Sequence, residues 1–408
     1  MHKYFIMFLI LTLISTIAIQ KRIGENNEQD TFLSQSQYDK WYYEISNWAK
    51  DNLLQNGKGV HGGQYAWEWS YIGNSLIEMY KATGDEKYLD LFVSQAEFIF
   101  SQTDQKLGKE SFTNTGLSLP AWSDNGHYSS GEFNYVYPVH TGMIMLPILR
   151  FVNEVKEYNL SKYNNIADEF LIAGGKALAI HNNKEMWIDI NENEGFFLGH
   201  PFGEGIISEA NKIGIPNRIF IYLAACGLYD KLTDGSGYTQ KIEKSLRYFK
   251  SSLLKYDKNY DSYYWSYWEH GYENKWEDIS HASLTVYGLF LLKEEAGFDI
   301  FSDSEFIKFT NIIFKIVNKE SPPKVRANIH PIKNEKKIYY LADESNKYFS
   351  VLKWAFLGEY NKKALEHLED VYKELNQQEK LSSQDLFSIS LYIKMKKQSK
   401  NNWFKSIF

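Results

Sequence analysis

The sequence predicts an all-α fold, a ring of about six helical hairpins with its long loops gathered on one face. Three observations carry that expectation. Twelve segments of the 408-residue chain repeat apolar residues at helical spacing, tight turns alternate with long aromatic- and glycine-rich loops, and the first and last helices lack a sequence-adjacent partner. Periodicity alone would also permit an open stack of helix pairs, but the count and the unpaired end helices favour closure.

The elements follow in order. Residues 36–54 are periodic through Tyr38, Tyr42, Ile45 and Trp48, and a loop with His61 and four glycines follows. A helix over 67–83 stops at Gly84, and 85–100 starts at once with Asp85 as its cap, so these two must be antiparallel neighbours. The same unit recurs. Long loops at 108–137 and 187–216 lead into helix pairs 138–155 with 162–179, and 217–233 with 238–256. The stretch 263–297 supplies the next loop and helix: an aromatic, acidic run, then an apolar helix from Ser280 that pairs with 304–317. A loop with His330 and Asp343 leads to 345–360 and 361–375, and 383–396 can pair with the first helix. Helices entered from long loops carry small residues (Gly73, Gly142, Ala224, Ala225, Gly227, Gly288), which suits an inner layer crowded on both sides. Their partners have a charged face and suit an outer layer.

Composition narrows the function classes. Hydrophobic residues at 44% and charged residues at 24% are the balance of a folded chain. A formal charge of -6, with no basic stripe longer than 394–400, argues against nucleic acid as partner. Aromatics at 16% fit either an aromatic-rich core or a cleft whose rings stack on sugars. The single cysteine, Cys226, excludes an intrachain disulfide and reads as a buried small hydrophobe. At the N-terminus, Lys3 precedes an apolar run over 4–19, the pattern of a secretory signal. Lys21 and Arg22 leave an uncleaved membrane anchor as the other expectation for 1–22. Residues 23–34 read as a linker, 35–398 as the ring, and 399–408 as a polar tail. The domain is expected outside the cytoplasm, periplasmic, extracellular or anchored.

LIEMYKATGDEKYLD, residues 76–90, and the looser ACGLYDKLTDGSGYTQK, residues 225–241, resemble a hairpin recurrent in the six-hairpin, or (α/α)6 toroid, superfamily of glycoside hydrolases, polysaccharide lyases and sugar epimerases. The resemblance spans roughly 35–398. It implies a cleft where the long loops meet the inner-helix starts, which also offer unpaired N–H groups. Trp67 and Glu68 open the first inner helix, Tyr137 and His140 the second, and Asn217 and Arg218, preceded by Glu204, the third. Glu277, Asp278 and His281, preceded by Tyr267, Trp268, Glu269 and His270, open the fourth, and Asp343 the fifth. Trp122, Trp265 and Trp276 complete the set of ring faces for sugar stacking.

These residues support three readings. A glycoside hydrolase needs two carboxyl groups roughly 5 to 9.5 Å apart, one protonating the leaving oxygen and one activating water or attacking the sugar. Asp278 is the first candidate, though it can equally cap its helix, and Glu277, Glu68, Glu204 and Glu269 are further carboxylates for the pair. A uronate lyase or C5-epimerase would use His281, His140 or Tyr137 as base, with Arg218 and Asn217 neutralising the substrate carboxylate. A catalytically silent toroid that binds glycans or supports an envelope assembly is the third reading. No phosphate loop, metal-ligand spacing or cofactor motif is present, so no cofactor is expected.

Overall fold

The structure, a computed structural model, describes residues 33–125, 134–198, 212–267, 277–331, 339–340 and 345–407. Among these residues, twelve principal helices form two concentric layers. The inner layer comprises Ser70–Thr83, Pro138–Glu157, Pro216–Leu232, Ile279–Glu294, the 3-10 helix Phe349–Glu359 and Ser383–Ile407, here the first to sixth inner helices. Each packs on the next, and the sixth returns to the first, which closes the ring. Their outer partners are Lys87–Ser101, Asn164–Ala179, Thr239–Tyr248, Asp303–Ile316 and Lys362–Asn376, with Gln35–Asn52 packing against the sixth inner helix. The helices expected to be unpaired at the two ends of the chain thus complete the last hairpin.

Local chemistry sets the turns. Gly84 ends the first inner helix at φ 71°, a left-handed conformation open to glycine, and its N–H is donated to the Tyr80 carbonyl. Ser302 and Glu305 form a reciprocal capping box at the start of Asp303–Ile316. Short antiparallel ribbons decorate the long connections: Trp187–Asp189 with Gly195–Phe197, Lys255–Asp257 with Ser262–Tyr264, and Val317–Asn318 with Lys324–Arg326 and Tyr339–Tyr340.

The small residues of the inner layer let backbones meet. A Cβ at Gly142 would fall 2.6 Å from Tyr222 Cα, and one at Gly288 would fall 2.7 Å from the Phe220 carbonyl carbon. The second, third and fourth inner helices therefore cross at glycines. On the ring axis a cavity of only about 10 Å³ is left among Tyr71, Met143, Ile221, Leu284, Lys353 and Phe387, one residue from each inner helix. Below it, the C-terminal halves of the inner helices bury a charged cluster around Arg150, whose guanidinium binds Glu295, Glu78, Asn74 and the Tyr287 hydroxyl. The axis is filled, so access to the ring is from the helix starts.

Several expectations change. The first helix buries Trp41 rather than Trp48, which is exposed. The fifth inner helix is a short α-turn, Ser345–Tyr348, continued in 3-10 geometry rather than a plain α-helix. The polar tail expected at 399–408 is helical as far as residue 407. The membrane span is corrected: among the described residues, no helix is long and apolar enough to cross a membrane. The segment 1–22 on which it was read lies outside the described residues.

Candidate functional site

The inner-helix starts gather at one end of the ring, where the fourth is the most elaborate. Asp278 is its N-cap, and one carboxylate oxygen accepts from the backbone N–H of Ser280 and of His281, both at 2.9 Å. The other oxygen lies 2.5 Å from His281 Nδ1. Asp278 and His281 side chains are 45% and 42% exposed, so the pair is open to a ligand. Burial alone would raise the Asp278 carboxyl, but the bond and charge of His281 and the two backbone N–H groups hold it below the ordinary carboxylate value. Capping and chemistry are therefore not rivals here. The cap uses one oxygen and leaves the other to orient the imidazole.

Glu277 behaves oppositely. It is fully buried, accepts from Trp265 Nε1 at 3.1 Å, and its carboxyl is pushed well above the ordinary value by burial and by the charge of Asp278. The two consecutive carboxyls are thus shifted in opposite directions, the partly exposed Asp278 down and the enclosed Glu277 up. The Tyr267 ring lies 5.1 Å from the His281 ring, and Arg218 Nη2 donates to the Tyr267 hydroxyl at 3.4 Å. The long fourth loop and the third inner helix meet at this point.

Beside this group, an open cleft of about 490 Å³ lies between the start of the sixth inner helix, the fifth inner helix and the turn before the first. Glu68 lines it from a π-helical turn, Tyr65–Trp69, an arrangement often found at functional sites. Ser383 Oγ donates to Glu68 Oε2 at 2.7 Å, yet burial still raises the Glu68 carboxyl. Asp385, also raised by burial, accepts from the Ser382 N–H and hydroxyl at 2.8 and 2.7 Å. Lys353 reaches the floor of the cleft. It is buried, donates to Ser280 Oγ and Gln384 Oε1 at 2.9 Å each, and its ammonium is lowered to about 8 by burial, with Asp278 and Asp385 opposing the shift.

Other expected residues are placed away from a ligand. Trp122 and Trp265 are 2% and 0% exposed, and their indole N–H groups bind the Ile99 carbonyl and Glu277, so neither has a free ring face for a sugar. His140 is completely enclosed, in edge contact with the rings of Trp67 and Tyr137 at 6.1 and 5.2 Å. Tyr137 and Asn217 are buried as well. Trp67 is only partly buried. Glu204, Trp268, Glu269, His270, Trp276 and Asp343 lie outside the described residues.

No protein-family model and no curated protein sequence matches the chain. Solved structures do. A family 76 glycoside hydrolase from a bovine Bacteroides thetaiotaomicron strain matches with a TM-score of 0.51 at 11% identity, over 90% of this chain and 79% of that one. An inactive variant of an alpha-1,6-mannanase from Salegentibacter sp. HEL1_6, in complex with alpha-1,6-mannotetrose, gives 0.48 at 13% identity, over 88% of this chain and 99% of that one. The chain has the six-hairpin (α/α)6 toroid fold. In this toroid the polar cleft and the Asp278 and His281 pair share the inner-helix-start end, joined through Lys353.

Lys353, Gln384, Asp385 and the Ser382 and Ser383 pair were missed in the sequence. The last four open the sixth inner helix and satisfy the criterion applied to the other five. Lys353 is a lone cation in the apolar run SVLKWAFLG, a pattern that marks a buried charge once the helix is known to be internal.

Proposed function

We propose that the protein is an exported, carbohydrate-active glycoside hydrolase. The observation that carries this reading is the polar cleft at the inner-helix starts, lined by Glu68, whose carboxyl is raised, and tied through Lys353 to the helix start of Asp278, whose carboxyl is lowered. Glu68, raised by burial, is the proton donor to the leaving glycosidic oxygen. Asp278, held ionised, works with His281 on the other side, and the pair takes a proton from the attacking water. The N-terminal signal pattern supports export.

A second reading is favoured by a different observation. Arg218, Tyr267 and His281 adjoin one another, which suits recognition of a uronate carboxylate and abstraction of the neighbouring proton. Incubation with neutral and uronate oligosaccharides separates the two. New reducing ends without ultraviolet-absorbing unsaturated products support hydrolysis; unsaturated products transfer the proposal to elimination. Binding without turnover overturns both.

A further inference from the structure

We propose that Lys353 is the positioning residue of the cleft, tying the helix start that holds Asp278 and His281 to the helix start that holds Glu68. The inference rests on the reading of Glu68 and Asp278 as the reacting groups, and it concerns what fixes them relative to each other. Lys353 Nζ donates to Ser280 Oγ, and the Ser280 N–H is itself donated to the Asp278 carboxylate. Its second bond goes to Gln384 Oε1, whose neighbour in sequence, Ser383, donates to Glu68. One buried cation on the fifth inner helix thus braces both halves of the site.

Burying a lysine costs free energy unless its charge is paired and hydrogen-bonded. Among the described residues, no carboxylate forms a salt bridge with Nζ. Asp278 and Asp385 act on it from the fourth and sixth inner helices, and Glu68 and Lys380 line the same cleft. The first inner helix presents the Tyr71 ring, its centroid 5.5 Å from Nζ, and the fourth adds Tyr287 below. Neutral acceptors and an aromatic face favour the ammonium, but burial outweighs them, so its proton is held more loosely than that of an exposed lysine. Raising the pH through about 8 removes the charge and with it the brace.

A misplacement of about 1 Å at a reacting group can cost on the order of 100-fold in rate. Lys353→Met is therefore expected to lower kcat roughly 10- to 100-fold while KM changes little, because the residue acts through others and not on the sugar. The wild type is expected to lose kcat as pH rises above about 8; that loss should be absent in Lys353→Met and move to higher pH in Lys353→Arg, which should also recover part of kcat. Unchanged kcat and an unchanged alkaline limb in Lys353→Met overturn the proposal. So does an equal loss in Lys353→Met and Lys353→Arg with the limb intact, which would make the residue mere packing.

A second measurement needs no turnover. In protein labelled at lysine Cε, two carbon resonances should titrate near pH 8, those of Lys315 and Lys353, and the one that vanishes in Lys353→Arg reports Lys353. Removing both acceptors with Ser280→Ala and Gln384→Ala should lower that midpoint, since each acceptor favours the charged form. A midpoint in the ordinary lysine range, or one indifferent to both acceptors, refutes the brace. Failure to turn over any sugar, with this titration behaving as expected, counts against the hydrolase reading and leaves the brace standing.

Discussion

Replacing Arg150 with methionine tests how the toroid is closed at its lower end. The guanidinium is buried and donates to Glu295 at 2.7 and 2.9 Å, to Glu78 at 2.7 Å, to Asn74 at 2.9 Å and to the Tyr287 hydroxyl at 3.0 Å. Arg150→Met removes these bonds and strands two carboxylates in the interior. Breaking a buried pair by deleting one partner costs about 3–5 kcal/mol. Lys394 remains 2.7 Å from Glu78 and Lys81 remains 3.0 Å from Glu295, so the lower end of the range, about 3 kcal/mol, is expected. Guanidinium unfolding at neutral pH, followed by tryptophan fluorescence, measures it. Adding Glu78→Gln should return part of the loss by neutralising one stranded carboxylate. The pH dependence supplies a sign. Burial alone would raise Glu78, but Arg150, Lys394 and Lys81 outweigh it and hold the carboxyl at about 2. Its contribution is therefore complete above the ordinary carboxyl range and is lost as pH falls toward 2. In Arg150→Met the loss should begin at higher pH. A variant within about 1 kcal/mol of wild type at neutral pH would refute the argument that this cluster depends on its central cation.

Three further outcomes are expected. Gly142→Ala and Gly288→Ala press a methyl group against the backbone of Tyr222 and Phe220, and each should cost about 1–3 kcal/mol, read as a lowered Tm. Glu277→Gln should be as stable as wild type in acid and more stable at pH 8, because the raised carboxyl must stay protonated in the fold while the unfolded chain ionises; equal pH dependence of the two would contradict this. Glu68→Gln and Asp278→Asn should each lower kcat by roughly 100- to 10,000-fold. Folding of Glu68→Gln is unaffected, whereas Asp278→Asn keeps the cap but weakens the hold on His281. Circular dichroism checks the folds.

Much of the architecture was legible because helical burial repeats along the chain. Outer helices such as 362–376 show one apolar stripe, whereas inner helices are buried on nearly every side, as in residues 139–155. Small residues, Gly142 and Gly288 among them, mark the inner layer in the sequence, but which of them lie at helix crossings depends on the packing. The site was harder to read. An exposed cap and a reactive carboxylate look alike in sequence, and Asp278 turns out to use its two oxygens for the two purposes. Tryptophan is equally ambiguous: Trp122 and Trp265 sit in the expected loops but spend their faces on packing and their N–H groups on buried acceptors. Lys353 and Arg150 escaped notice because a cation inside an apolar helix ordinarily carries its charge out to water. Only the closure of the ring makes those positions internal, and closure is a property of contacts far apart in sequence.

The central claim is that the inner-helix-start cleft hydrolyses a glycosidic bond using Glu68 with the Asp278 and His281 pair. Its most direct test is product analysis after incubation of wild type, Glu68→Gln and Asp278→Asn with a panel of neutral and uronate oligosaccharides. New reducing ends are expected from wild type, with no unsaturated products, and those ends should be lost in both folded variants. Unsaturated products, or release that survives both substitutions, would contradict it.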